Sequence, residues 1–184
     1  MKKILIFALA FYSVNLFAQE KQFISVHGAY INSIGDFSEN WDKGSAFYVS
    51  YGTISETNFA LIFQAGYFNF KSDPNSHVAG DEIFRVIPLQ IGTRYVFTRS
   101  FLSPYLAAMS GLNIISEDFI GGDGLRRDVT EIKLNFQFGG GVAIKLFGDI
   151  YLDLNAFYNT HILRSDIPYN ITGLEFGAGI NLGL

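Results

Sequence analysis

Apolar and polar residues alternate with a period of two along most of this chain, and this feature constrains its fold most strongly. The clearest segment is 131–146, where one face carries Ile132, Leu134, Phe136, Phe138, Val142, Ile144 and Leu146. A period of two places successive side chains on opposite faces of a β-strand. Slipping the pairing by one residue would exchange the two faces, so the pattern also specifies the register.

Eight segments of this kind follow one another along the chain. They are predicted at 23–30, 45–52, 59–71, 83–97, 102–114, 131–146, 150–161 and 173–184. The connections alternate between a long class (32–44, 71–81, 115–128 and 164–171) and a short class (53–58, 98–100 and 147–149). This predicts an antiparallel series with two different rims. Pro88 lies inside the fourth segment and has no amide hydrogen to donate, which predicts either a β-bulge there or different strand boundaries.

Composition narrows the class of protein. The 184 residues are 49% hydrophobic and include 19 Phe, 10 Tyr and 19 Gly, which favours strands in a single domain. The absence of Cys excludes disulfides, thiolate metal sites and a cysteine nucleophile. A net charge of −4 argues against nucleic acid as a partner, because phosphate binding needs clustered Lys and Arg.

The first residues predict a secretory signal peptide. Lys2 and Lys3 precede the apolar run 4–17, and Ala18 is followed by polar residues. The run of 14 residues is shorter than the roughly 20 that a membrane-spanning helix needs. We expect cleavage after Ala18, which leaves residues 19–184 as the mature domain with 11 basic and 17 acidic side chains.

The chemistry of the two strand faces discriminates between a soluble β-cup and a membrane barrel. An eight-stranded barrel has room inside only for packed side chains, and the smaller Gly, Ala, Asn and Gln residues occupy the face opposite the bulky apolar one. A closed sheet also satisfies every backbone group in hydrocarbon. The sequence therefore predicts an all-β, eight-stranded antiparallel up-and-down transmembrane β-barrel. Candidates for its aromatic girdles are Tyr30, Tyr51, Tyr67, Tyr95, Phe97 and Tyr158.

Local motifs add a family resemblance. They are Ile87-Pro88-Leu89, Tyr95-Val96-Phe97, Pro104-Tyr105-Leu106 with Gly111, and Gly177-Ala178-Gly179. With the strand pattern, they make the mature chain similar to the eight-stranded outer-membrane barrels of the OmpX/OmpA-like group, as found in Bacteroidota-type bacteria. The resemblance implies a location in the outer membrane, and outer-membrane lipid, lipopolysaccharide and the barrel-assembly machinery as partners. Leu184 stands where such barrels usually carry an aromatic residue.

Charged residues of inward parity predict a charge network in the bore. Its members are Arg94, Glu131, Lys133, Lys145, Asp153 and Glu175. Lys145 and Asp153 fall on one face of a hairpin as diagonal neighbours, about 7–8 Å apart at the backbone, and are expected to pair. The network is interpreted either as a structural plug or as a gate for ions.

The connections contain few groups with a chemical role. Apolar loop residues, here Phe37, Trp41, Phe119 and Ile120, are candidates for a contact surface or for contact with lipid headgroups. His161, Ser165 and Asp166 are the nearest approach to a hydrolytic triad, but their spacing departs from that of known lipid deacylase barrels. No catalytic residue, cofactor or metal site is predicted.

The sequence thus favours a structural or surface-interaction role through the outward loops, alone or with an envelope or surface protein partner. A narrow channel for ions or small solutes and a lipid-modifying enzyme are the alternatives.

Overall fold

The computed structural model describes residues 21–39, 41–72, 83–120, 126–161 and 172–183. The predicted signal peptide lies outside these residues. The strands are β1 Lys21–Ser33, β2 Trp41–Ile54, β3 Phe59–Ser72, β4 Ile83–Val96, β5 Leu102–Ile120, β6 Arg126–Phe147, β7 Ile150–His161 and β8 Thr172–Gly183. A short 3-10 helix, Gly35–Glu39, lies between β1 and β2. Within the described ranges, no helix is long and apolar enough to cross a membrane.

The strands form a closed antiparallel barrel in which each strand pairs with its neighbours in sequence. β1 and β8 close the sheet, with pairing that runs from Phe23–Gly183 to Ser33–Gly173. In the described residues up to the Asn135–His161 pair, closure gives every strand a hydrogen-bonded neighbour on both sides, as an apolar solvent requires. The predicted fold class is confirmed.

The two rims differ as the connection lengths predict, except at the β5–β6 connection. The short-turn rim holds the β2–β3, β4–β5 and β6–β7 turns, the start of β1 and the end of β8. Its turns contain the left-handed residues Asn58 (φ 68°) and Gly148 (φ 54°), residue types that adopt this conformation at little cost. The opposite end is the long-loop rim. In outer-membrane barrels short turns face the periplasm and long loops face outward.

The largest departure from the predicted boundaries is the β5–β6 hairpin. Most of the expected loop 115–128 is strand, because pairing continues from Ile115–Glu131 to Ile120–Arg126. β5 and β6 have 19 and 22 residues, whereas about 9–11 suffice to cross a bilayer. Hydrophobic alternation does not reveal this extension, since strands beyond the membrane need not have one apolar face.

The bulge predicted at Pro88 is wrong. β4 pairs with β5 in an unbroken register through Pro88–Asn113. On the other side, the β3–β4 register is the same before and after Pro88, at Ala65–Leu89 and Phe68–Val86. The missing amide hydrogen therefore interrupts one ladder without inserting a residue. Register shifts occur elsewhere, at 41–44 against β3 and at 145–147 against β7.

Large apolar side chains cover the outside of the barrel. Every strand contributes, with Val26, Val49, Phe63, Leu89, Leu112, Phe138, Leu154 and Phe176 each more than 40% exposed. Near the short-turn rim, the ring of Tyr95 lies 4.9 Å from that of Phe59 and 5.3 Å from that of Phe97. An exposed apolar surface of this extent on a closed barrel is a surface for hydrocarbon.

Candidate functional site in the barrel interior

The bore near the long-loop rim is filled by a buried apolar cluster. Its Phe and Trp side chains, which we call the aromatic plug, are Phe37, Trp41, Phe68, Phe70 and Phe84. All are at most 2% exposed. The ring of Phe37 lies 5.1 Å from Phe70 and 5.3 Å from Phe84, edge-on to both. Aromatic rings in this geometry gain energy beyond the area that they bury.

Local backbone features bring Phe37 and Trp41 into the plug. The 3-10 helix starts at Gly35, whose φ of +66° is a conformation that glycine adopts readily, and it contains Phe37. The helix ends at Glu39 and β2 begins at Trp41. Gly44 leaves room for a neighbouring ring, since a Cβ there would lie 2.5 Å from Phe70. The segment predicted as an outward loop therefore covers the mouth of the barrel.

The prediction that Phe37 and Trp41 form an exposed contact surface is wrong, because both are 0% exposed. The expectation that only small and charged groups fill the bore is also wrong near the long-loop rim. Phe68, Phe70 and Phe84 have inward parity, and their rings are buried against one another at this end of the bore. The other two contact candidates, Phe119 and Ile120, end β5, and their side chains lie outside the described part of the structure.

Deeper in the bore, Glu175 collects three hydrogen bonds on one oxygen. Its Oε2 accepts from Tyr48 Oη at 2.5 Å, Asn159 Nδ2 at 2.8 Å and Gln137 Nε2 at 3.0 Å. The donors come from β2, β7 and β6, and Glu175 itself from β8. These neutral donors satisfy a carboxylate that is only 3% exposed. The cluster links four strands across the bore.

A second cluster surrounds Asp153, whose side chain is fully buried. Arg94 Nη1 lies 3.3 Å from Oδ2, which also accepts from Asn181 Nδ2 at 2.9 Å. Tyr105 Oη donates to Oδ1 at 2.6 Å, and His27 Nε2 lies 3.9 Å from the same oxygen. The Arg94 guanidinium also lies 3.9 Å from the centre of the Tyr105 ring, a cation–π contact.

Glycines make the space for this second cluster. A Cβ at Gly141 would lie 2.6 Å from Tyr105 Oη, and one at Gly179 would overlap the His27 ring. Both glycines make room for the side chain of their direct partner on the neighbouring strand, Tyr105 of β5 and His27 of β1.

The six predicted charges fall into separate groups. Arg94 pairs with Asp153, and Lys133 Nζ lies 3.9 Å from Glu131 Oε2. Glu175 is held by neutral donors. Lys145 is exposed at the short-turn rim.

The predicted Lys145–Asp153 pair is wrong. The register does make the two residues diagonal neighbours, because Asp153 lies opposite Ala143. However, Arg94 reaches Asp153 across the bore from β4, a contact that hairpin geometry does not reveal.

Five uncharged residues that donate hydrogen bonds to Glu175 or Asp153 are not among the site residues predicted from charge. They are Tyr48, Tyr105, Gln137, Asn159 and Asn181. All have inward parity, so a search of every polar inward position would have found them. Of the hydrolytic candidates, Ser165, Asp166 and the side chain of His161 lie outside the described residues. In the described ranges, no group of three or more His, Cys, Asp or Glu side chains is placed to hold a metal.

A closed eight-stranded barrel with an apolar outer surface and an interior packed with aromatic and polar side chains defines the class: this is a small outer-membrane β-barrel, located in the outer membrane. No protein-family model and no curated protein matches the chain.

Solved structures share the fold. The chain is similar to neisserial surface protein A (22% identity, 88% of this chain and 96% of that chain, TM-score 0.65). It is also similar to a major outer membrane protein of Thermus thermophilus, with 11% identity over 89% of this chain and 99% of that chain and a TM-score of 0.62. A third similar structure is Ail, the attachment invasion locus protein of Yersinia pestis, with 13% identity over 90% of this chain and 99% of that chain and a TM-score of 0.59.

Proposed function

We propose that this protein is a non-conducting outer-membrane anchor that presents outward segments to lipopolysaccharide or to a surface or envelope protein. The observation that carries the proposal is the filled bore. Because the bore is filled, we infer that the barrel holds the segments at the long-loop rim in place and does not pass solutes.

The packing of the bore supports the non-conducting part of the proposal. The aromatic plug obstructs the long-loop end, and the Glu175 and Asp153 clusters cross the bore below it. An eight-stranded barrel has little interior volume left once such side chains are packed. Opening a path would require breaking a buried ion pair, which is costly.

The β5–β6 hairpin supports the presenting part. Its strands exceed the length that a bilayer requires, and β6 reaches Arg126, whereas its pairing with β7 ends at Asn135–His161. Ile132, on the part of β6 beyond β7, is 64% exposed. A hairpin that extends beyond the bilayer places exposed side chains such as Ile132 within reach of an outside partner.

Site-specific photo-crosslinking in intact cells tests the presenting role. A photo-reactive residue replaces exposed Thr130 on the hairpin, and the matched control replaces exposed Thr98 on the opposite rim. We expect crosslinks to lipopolysaccharide or to a surface protein from position 130 and none of these from position 98. Equal crosslinking from both positions would contradict the proposal.

Planar-bilayer recording on the refolded chain tests the channel alternative. We expect no discrete conductance. A variant in which Asn-Gly replaces residues 119–127 keeps the Asp118–Asp128 pair as the end of a shortened hairpin, and it should remain folded and silent. Reproducible conductance steps from the unmodified chain would favour the channel instead.

A further inference from the structure

At the short-turn rim, the end of the bore contains a cavity that the packed side chains leave open. Its volume is about 380 Å³, within the range of small-molecule sites. β1 and β8 contribute to its wall together with residues of β4, β5 and β6. It opens at the end of the barrel opposite the long loops, so it is independent of the proposed surface role.

Basic side chains outnumber acidic ones among the described residues that line this cavity. Lys21, Arg99 and Lys145 line it near the rim and are exposed, while Asp149 is the acidic residue among the lining side chains. The side chain of Arg99 donates to the Ser55 carbonyl, which holds it beside the cavity. A concave surface with this balance attracts anions.

The base of the cavity carries a buried donor without a partner. Arg94 lines the cavity and is 9% exposed, and its Nη1 is committed to Asp153. Its Nε is buried and has no hydrogen-bond partner among the described residues. A buried N–H without an acceptor is uncommon and indicates a place for one.

The remaining walls are apolar or aromatic, with Phe23, Ile54, Val96 and Tyr151 among them. We propose that the cavity binds an organic carboxylate, either a small free acid or the carboxy-terminal group of a peptide. The carboxylate meets the basic side chains and the apolar body packs on the walls. Guanidinium and ammonium groups both form charge-assisted hydrogen bonds to carboxylates.

NMR titration of the full chain in lipid nanodiscs tests this site. The probes are benzoate, the peptide N-acetyl-Ala-Phe with a free carboxylate, the same peptide as its amide, and inorganic phosphate. We expect saturable shifts of the Lys145, Asp149 and Gly183 amides with a carboxylate probe. Saturation by benzoate alone identifies a small-acid site, and saturation by the peptide acid identifies a peptide terminus.

A charge variant separates specific binding from general adsorption. The double variant Lys21→Gln/Lys145→Gln should bind about tenfold more weakly, as expected for loss of two exposed ion pairs. The matched control is Lys43→Gln/Lys71→Gln, two exposed lysines toward the long-loop rim, which should leave the affinity unchanged. These positions are exposed, so the test does not depend on disturbing the buried Arg94–Asp153 pair.

Three results would overturn the proposal. They are equal shifts from the peptide amide, saturation by phosphate as tight as by the carboxylates, and an affinity that the double variant does not change. A failure here leaves the proposed surface role intact, since that role is tested at the other rim.

Discussion

At the scale of single residues, the stability of the interior depends on buried charged side chains that find their partners on other strands. Asp153 accepts hydrogen bonds from Tyr105 of β5, Asn181 of β8 and Asn155 of its own strand, and it forms an ion pair with Arg94 of β4. Such a pair contributes little relative to an apolar core, but it is costly to break on one side only, because the remaining charge stays buried.

The first prediction concerns this pair. Asp153→Asn should lower the free energy of unfolding by about 3–5 kcal/mol, since Arg94 then lies buried without a counter-charge. Urea titration of the refolded protein, followed by the fluorescence of Trp41, the single Trp in the chain, measures the change. Asp149→Asn at the exposed rim is the control and should shift stability by less than about 0.5 kcal/mol. Similar unfolding midpoints for the two variants would contradict this role of Asp153.

The second prediction concerns depth on the outer face. Leu89 lies midway along β4 and is 48% exposed, whereas Phe97 lies just beyond the end of the strand and is 54% exposed. Leu89→Arg should cost about 2–4 kcal/mol and Phe97→Arg about 0–1 kcal/mol, because burying a charge in lipid costs most at the midplane. Refolding into liposomes and urea unfolding measure both. Equal costs would mean that the apolar face does not lie in hydrocarbon.

At the scale of elements, the 3-10 helix and the start of β2 act together as a cover. They carry Phe37 and Trp41 into a cluster with side chains of β3 and β4. Neither aromatic residue is part of a strand alternation that sequence could place. Their position follows from the turn at Gly35, which redirects the chain over the barrel mouth.

The third prediction tests this cover. Phe37→Ala should cost about 3–5 kcal/mol and increase quenching of Trp41 by acrylamide, because it leaves a cavity beside the indole. In the unmodified protein, lipids with brominated acyl chains should not quench Trp41, since its ring lies inside the bore. The control Phe63→Ala removes a lipid-facing ring and should leave acrylamide quenching unchanged. Strong quenching by the brominated lipids would place Trp41 outside the barrel and refute the plug.

At the scale of the whole molecule, closure between β1 and β8 makes the sheet continuous. The register there aligns Val26 with Ile180, and both side chains are on the outer face. Opposed residues in an antiparallel pair have Cα atoms about 4.5–5.5 Å apart, a separation that a disulfide spans.

The fourth prediction uses this register. Because the chain has no Cys, the double variant Val26→Cys/Ile180→Cys should form a disulfide on mild oxidation of the folded protein. The cross-linked chain should migrate faster than the reduced chain after boiling in detergent. The control Val26→Cys/Leu174→Cys should remain reduced, since Leu174 pairs with Asn32 instead. If a disulfide formed in the control variant and not in Val26→Cys/Ile180→Cys, β1 and β8 would have to pair in a different register.

The interior shows how far sequence reasoning extends. Period-two alternation assigned Arg94, Lys133, Asp153 and Glu175 to the bore, because parity is a local property of a strand. The same alternation could not select Arg94 over Lys145 as the partner of Asp153. That choice depends on which strands face each other across the barrel.

The sequence by itself determined the number of strands, the face that each presents to lipid and the difference between the two rims, since all of these follow from local periodicity and connection length. The tertiary structure alone decided that Phe37 and Trp41 close the mouth, that β5 and β6 continue beyond the membrane, and that Glu175 and Asp153 gather donors from several strands. These contacts join residues far apart in the chain, and their geometry exists only once the sheet has curved and closed.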